Sequence, residues 1–299
     1  MKNAVVALTR GYPNNLELYD TLIRRNNSIH KRINKLRKEP VDIVLFHEGN
    51  ISKFDQNFIN SQSRDEIKFV DVSQYFQNID IQLKEDNKFT LGYRQMCRFN
   101  MFHIWEEVSD YDYILRIDED SELLNIDPYI FEYMNKHEIV FITGRFSKEI
   151  HRLTNKTLPQ FLINNTSINV KKIYNHKFPY TNLYATSVKF WKENDVNNIL
   201  EKIAMSDEQI VNRWGDIPVL GGMLNHKNIK IKLFPKLEYI HISHNLKIKN
   251  SFLRNIFINS KFMPISVKEG LYTKIKIKIK SKFKAGNIMI LKIINQITY

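Results

Sequence analysis

The chain has one cysteine, nine glycines and eight prolines in 299 residues, and each scarcity excludes something. A lone thiol cannot close an intramolecular disulfide or build a multi-thiolate metal site, so the expected compartment is reducing. So little glycine and proline excludes a collagen-like or low-complexity chain. No run of about 18 apolar residues occurs, which leaves no candidate helix for crossing a bilayer. The first apolar stretch, residues 4–8, gives way at once to Thr9 and Arg10 and is too short for a secretory signal. Against these absences, 43% hydrophobic and 12% aromatic residues are ample for a buried core and argue against disorder.

The formal charge of +13 is concentrated at one end. Residues 246–299 carry 12 Lys+Arg against one acid, Glu269, whereas residues 1–245 are nearly neutral at +2. Lys274, Lys276, Lys278, Lys280, Lys282 and Lys284 alternate with Ile275, Ile277, Ile279 and Phe283, as an extended strand would separate them. One reading is an edge strand whose lysines block sheet-to-sheet pairing. The other is peripheral contact with an anionic membrane, and the two stand level. Nucleic-acid binding ranks below both, because aromatic side chains are not interleaved as stacking platforms require.

The body alternates strand and helix signals. Residues 4–8, 41–46, 67–72, 111–117 and 139–144 read as strands. Leu16 to Ile33 and Met96 to Trp105 repeat at helical spacing. Residues 155–176, rich in Asn and Thr, read as a loop-heavy insertion. Residues 180–186, 230–234 and 239–242 read as further strands, and 187–205 as one helix. The expected fold class is α/β: a Rossmann-like domain over 1–245 with a mixed, largely parallel sheet, followed by a basic segment, 246–299.

RIDEDSEL follows a strand, and open α/β sheets hold ligands at carboxyl ends of strands. Asp118 and Asp120 can converge there on one divalent ion, which assists departure of a diphosphate by neutralising its charge. Carboxylate oxygens suit Mg²⁺ or Mn²⁺, and an added imidazole tilts the choice toward Mn²⁺. Acids ending a strand are also common as a helix cap or a solvated turn. Two further clusters stand beside this one. NRWGDIPV, residues 212–219, places Asp216 either as a helix cap or as a carboxylate at a sugar hydroxyl, with Trp214 against a sugar face. EYIHISHN offers His241 and His244 at the end of the last strand.

In this order the clusters resemble the fungal α-1,2-mannosyltransferases of glycosyltransferase family 15. YRQMCRF (residues 93–99) is similar to that family's YR-x-MCRF, YDYILRIDED (111–120) to its YDYYWRVEPD, RWGDIPV (213–219) to its RWGDAPV, and EYIH (238–241) to its GYHH. The resemblance implies a GT-A fold and a retaining, Mn²⁺-dependent enzyme. Its donor would be GDP-mannose and its acceptor a saccharide or glycolipid hydroxyl. Residue by residue, it implies Asp118 and His241 as metal ligands with Asp120 beside the donor. It puts Tyr93 near the donor sugar and phosphates, Asp216 at an active-site aspartate, and Arg94 and Arg98 on a helix facing the nucleotide. Both arginines have an alternative as salt-bridge partners of nearby acids.

The chain departs from that pattern twice. EPD becomes DED, which keeps both carboxylates and drops a proline. The glutamate of the family's SNFEIA segment, a candidate nucleophile, falls at Tyr184, and a phenol with a pKa near ~10 replaces a carboxylate poorly. Same-face displacement assisted by the leaving phosphate, a different substrate, a local slip in the alignment and lost activity all stay open as explanations. The family's membrane-spanning N-terminus has no counterpart ahead of the first strand, so the expectation is a cytoplasmic enzyme whose membrane contact is peripheral, through 246–299. The competing expectation is a non-catalytic phosphate- or nucleic-acid-binding module on a degenerate transferase fold.

Overall fold

A computed structural model describes residues 1–84, 89–149, 151–170 and 177–241. The basic segment 246–299, with both readings of it, and His244 lie outside these residues.

The strands in chain order are β1 (Asn3–Thr9), β2 (Asp42–His47), β3 (Ile67–Asp71), β4 (Tyr113–Ile117), β5 (Ser121–Ile126), β6 (Phe141–Thr143), β7 (Phe146–Ser147), β8 (Phe178–Pro179), β9 (Leu183–Ser187), β10 (Lys232–Leu233) and β11 (Leu237–His241). Seven of them form one sheet in the order β10-β6-β9-β4-β1-β2-β3. β1 is parallel to β2 and β4, β2 to β3, and β6 to β10, while β9 runs antiparallel between β4 and β6. The sheet is therefore mixed and mostly parallel.

Apolar runs form these strands because helices cover both faces. In β1, Ala4 and Val6 face one core cluster and Val5 and Ala7 the other, so no position can be polar until the strand ends. One cluster lies under helix α1 (Asp20–Arg32), which contributes Leu22 and Ile29. Helix α2 (Lys53–Gln62) follows β2 and opens with a reciprocal capping box between Ser52 and Asp55. The other cluster takes Phe99 and Met101 from a π-helical turn at Phe99–His103 that continues α3 (Leu91–Arg98), and Ile104 and Trp105 from α4 (Ile104–Glu107). Trp105 stacks on Trp191 there, with ring centroids 4.8 Å apart.

Further α-helices among the described residues are α5 (Ile130–Lys136), α6 (Arg152–Asn165), α7 (Val188–Trp191), α8 (Asn194–Ala204), α9 (Asp207–Val211) and α10 (Asp216–His226). They correct the sequence reading in three places. Much of the expected loop at 155–176 is α6, whose Asn- and Thr-rich surface conceals a buried face of Thr154, Leu158, Phe161 and Leu162 at three- and four-residue spacing. The single helix expected over 187–205 divides into α7 and α8. Asp216 is the first residue of α10 rather than its cap, a position held by Gly215. Helix α10 can pack tightly on β8 because Gly221 has no side chain: a Cβ there would lie 2.5 Å from the Phe178 ring.

Candidate active site

The carboxyl ends of β1, β2 and β4 meet the starts of α3, β9 and α10 around a cavity of about 590 Å³. Asp118, Asp120, Tyr93, Asp216 and His241 all line it, joined by Thr9, Arg10, Glu48, Arg116, Glu119 and Asn182.

One wall is made by strand ends. β4 stops at Ile117, the Asp118 amide donates to the Asn182 carbonyl (3.0 Å), and the chain reverses into β5. β11 pairs antiparallel with β5 so that His241 lies opposite Ser121, which brings its imidazole over the acidic turn. His241 Nε2 is 3.0 Å from Asp120 Oδ1 and 3.6 Å from Asp118 Oδ2. One ligand atom from each of the three residues lies within 4.8 Å of the others. Two carboxylates and an imidazole at that spacing fit Mn²⁺ or Mg²⁺ by donor chemistry. Glu119, the middle acid, turns away: it accepts from the Thr9 hydroxyl (2.6 Å), the Arg10 amide (3.0 Å) and Arg10 Nε (3.1 Å).

Two buried arginines hold this wall, and the sequence reading assigned neither. Arg116 Nη2 pairs with Asp118 at 2.9 Å, and its other terminal nitrogen donates to the Thr181 carbonyl and lies 3.9 Å from Asp216. Burial works against its charge, but Asp118 and Asp216 outweigh burial and hold the guanidinium firmly protonated. Burial also raises the Asp118 carboxyl to about 6, even though Arg116 and His241 pull it the other way. Arg25 of α1 donates to the carbonyls of Val6 and Ile117, both at 3.1 Å, and so ties the helix to the middle of β1 and the end of β4. Arg116 was visible as a lone cation in an otherwise apolar strand; Arg25 had no signal beyond an arginine in an amphipathic helix.

The opposite wall is helical. The Thr90 side chain caps α3 by accepting from the Tyr93 amide, which places the Tyr93 ring at the cavity. Arg213 Nη2 donates to the Tyr93 hydroxyl (3.0 Å), while Nη1 pairs with Glu149 at 3.4 Å. The Arg213 guanidinium also lies over the Phe89 ring at 4.2 Å. The neighbouring Cys97 and burial raise the Tyr93 pKa, so the phenol keeps its proton. Cys97 is itself pushed up to about 12, chiefly by burial, and is an inert packing residue.

Four residues singled out in the sequence do not line the cavity. Arg94 is fully buried and donates to the carbonyls of Phe89 (2.8 Å), Ile210 (2.6 Å), Val211 (2.8 Å) and Lys84, so it fastens α3 to α9 instead of facing a nucleotide. Arg98 Nε donates to Gln209 Oε1 (2.9 Å), again toward α9, where Asp207 also favours its charge. Trp214 is fully buried against Phe161, with its indole nitrogen donating to Thr157 (2.8 Å), and cannot pack on a sugar. Tyr184 points into the core, stacked on Phe141 with centroids 4.9 Å apart. For Arg94, Arg98 and Tyr184 the helical or strand register, not the residue type, decided which way the side chain faced.

This combination of sheet order, acidic turn and imidazole belongs to the GT-A class of glycosyltransferase folds, and solved structures agree. The mannosyltransferase Ktr4p from Saccharomyces cerevisiae aligns with a TM-score of 0.66 over 81% of this chain and 70% of that one, at 15% identity. Core-mannan synthase A from Aspergillus fumigatus, solved in a Mn/GDP form, aligns with a TM-score of 0.65 over 81% and 75%. No family model matches the chain. Among curated proteins, glycolipid 2-alpha-mannosyltransferase 2 of Candida albicans is 24% identical over 88% of this chain and 61% of its own length. The O-glycoside alpha-1,2-mannosyltransferase omh1 of Schizosaccharomyces pombe is 25% identical over 52% and 43%. The chain is a distant homologue of the fungal α-1,2-mannosyltransferases of glycosyltransferase family 15. Its match spans about three fifths or less of the length of these curated relatives.

Proposed function

We propose that the chain is a divalent-metal-dependent glycosyltransferase that moves mannose from GDP-mannose to a saccharide or glycolipid hydroxyl. The observation that carries this reading is the convergence of Asp118, Asp120 and His241 within 4.8 Å at the mouth of a cavity large enough for a nucleotide sugar. A Mn²⁺ or Mg²⁺ ion held by these three residues supplies charge neutralisation to the departing diphosphate. Arg116 keeps Asp118 ionised and directed at the ion's position. Tyr93, held by Arg213, presents a protonated phenol to the donor. Asp216 takes the proton of the acceptor hydroxyl as its oxygen bonds to C1 and the C1–phosphate bond breaks, so the diphosphate leaves with the bonding pair. Tyr184 is given no part. With that side chain in the core, the reading contains no covalent sugar attached at position 184.

The test is nucleotide release from a panel of sugar nucleotides with and without Mn²⁺. Release of GDP from GDP-mannose, stopped by a chelator, is the expected result. Absence of release from every donor, together with no metal-dependent binding of GDP in calorimetry, overturns the proposal.

A further inference from the structure

Asn182, the residue just before β9, touches both halves of the cation site. Its main-chain carbonyl accepts from the Asp118 amide at 3.0 Å, and its side-chain nitrogen lies 3.2 Å from His241 Nδ1. On its other side the carboxamide meets the Tyr239 hydroxyl in two geometries: Asn182 Nδ2 donating at 3.2 Å, or the hydroxyl donating to Oδ1 at 3.3 Å. Asn182 and Tyr239 are 5% exposed and His241 6%, so water is a poor substitute for any of these bonds.

The imidazole makes conflicting demands on that carboxamide. While Nε2 donates to Asp120, Nδ1 has a lone pair and needs a donor, which Asn182 Nδ2 supplies. A divalent ion needs the lone pair of Nε2, so the ring proton must sit on Nδ1, which then needs an acceptor. An amide offers both faces in nearly the same volume, and a hydroxyl can serve either.

Resting on the metal-dependent reading above, we propose that Asn182 is the positioning residue of the cation site. Its carboxamide turns over as the ion enters, exchanging a donor for an acceptor at His241 Nδ1, and Tyr239 reverses its own hydrogen bond to match. One proton leaves Nε2 to solvent and one is taken up at Nδ1. Apolar residues around Asn182 would fix one tautomer; this trio accommodates both.

Mn²⁺ affinity measured by calorimetry on the full chain tests the proposal. Asn182→Leu removes the acceptor and should weaken Mn²⁺ binding about 10- to 100-fold. Asn182→Asp keeps an acceptor at Nδ1 and should remain within about threefold of the parent chain, the rescue that a merely structural role would not give. All variants retain the main-chain carbonyl to Asp118. Should Asn182→Leu fail to fold, Tyr239→Phe replaces it, with an expected loss of about three- to tenfold. The ring ¹⁵N spectrum of His241 gives a second readout: Nε2–H without ion, changing to Nδ1–H on saturation with Mg²⁺. Unchanged affinity in Asn182→Leu or Tyr239→Phe, or a tautomer that does not change, overturns this inference alone. A parent chain that binds no Mn²⁺ overturns the proposed function, and this inference with it.

Discussion

The two walls of the cavity use the same side chain to opposite ends. On the strand wall, Arg116 is buried beside carboxylates that face the cavity, and it holds Asp118 directly and Asp216 at longer range. On the helical wall, Arg94 is buried as deeply and donates to carbonyls of the described residues, and it joins two helices. A buried guanidinium must fill its donors from whatever surrounds it. Strand ends that carry acids make it part of the chemistry; helix ends that carry bare carbonyls make it a clamp. The acids beside Arg116 should therefore be sensitive in activity and tolerant in stability, and Arg94 of the helical wall the reverse.

The largest expected effect is on the strand wall. Asp118→Asn or Asp120→Asn should lower metal-dependent turnover about 10³-fold or more, because the charge that holds the cation is lost. Burial already disfavours the ionised Asp118, so the amide should not lower the melting temperature. Turnover that survives either substitution removes these carboxylates from the chemistry. On the helical wall, Arg94→Leu should cost about 3 kcal/mol or more of unfolding free energy, since several buried carbonyls lose their donor at once. Urea titration measures this, and a change below about 1 kcal/mol would erase the contrast between the walls.

A smaller effect separates the walls by pH. The Asp118 carboxyl, raised by burial to about 6, must lose its proton before it can serve a cation. Mn²⁺ affinity should fall about tenfold for each pH unit below 6 on account of this group, and level off above it. For the metal-free protein the sign is opposite. The folded state keeps the proton up to about pH 6, whereas an unfolded aspartate releases it near ~3.9. This group therefore adds most to stability below the unfolded value, and its contribution disappears as pH rises through 6. Calorimetric titration with Mn²⁺ across pH 5 to 8 measures the first effect. A flat profile contradicts it.

How much of this was legible beforehand depended on whether the signal was local. β1 and β4 were plain as apolar runs, and the acidic turn could be placed because a strand must end where charges begin. His241 could be named only through the family's GYHH, since nothing local says that β11 returns to pair with β5. Helix α6 was hidden because its polar surface outweighed a narrow buried face. Asn182, Tyr239 and Arg25 act through neighbours more than 50 positions distant in sequence. No window along the chain contains both partners. Arg94 failed for a different reason: one residue of helical phase separates Tyr93, at the cavity, from Arg94, in the core.

The smallest effect bears on Tyr184, the position where the sequence resemblance leads one to expect a glutamate. Tyr184 is fully buried, and its hydroxyl has no hydrogen-bond partner among the described residues. The same burial raises its pKa, so the phenol stays neutral and cannot attack a sugar as an oxyanion. Arg116 lies 6.0 Å from the ring centroid, close enough to favour the aromatic face and to exert only a weak pull on the hydroxyl. Removing an unpaired buried hydroxyl while keeping the ring and its stack on Phe141 should be neutral or stabilising by up to about 1 kcal/mol. Tyr184→Phe should also leave turnover within about twofold. A loss of tenfold or more in kcat, with melting unchanged, would return Tyr184 to the chemistry and require the sheet to shift its phenol toward the cavity during turnover. Wild-type rates would leave Asp216, whose carboxylate lines that cavity, as the group assigned the acceptor proton.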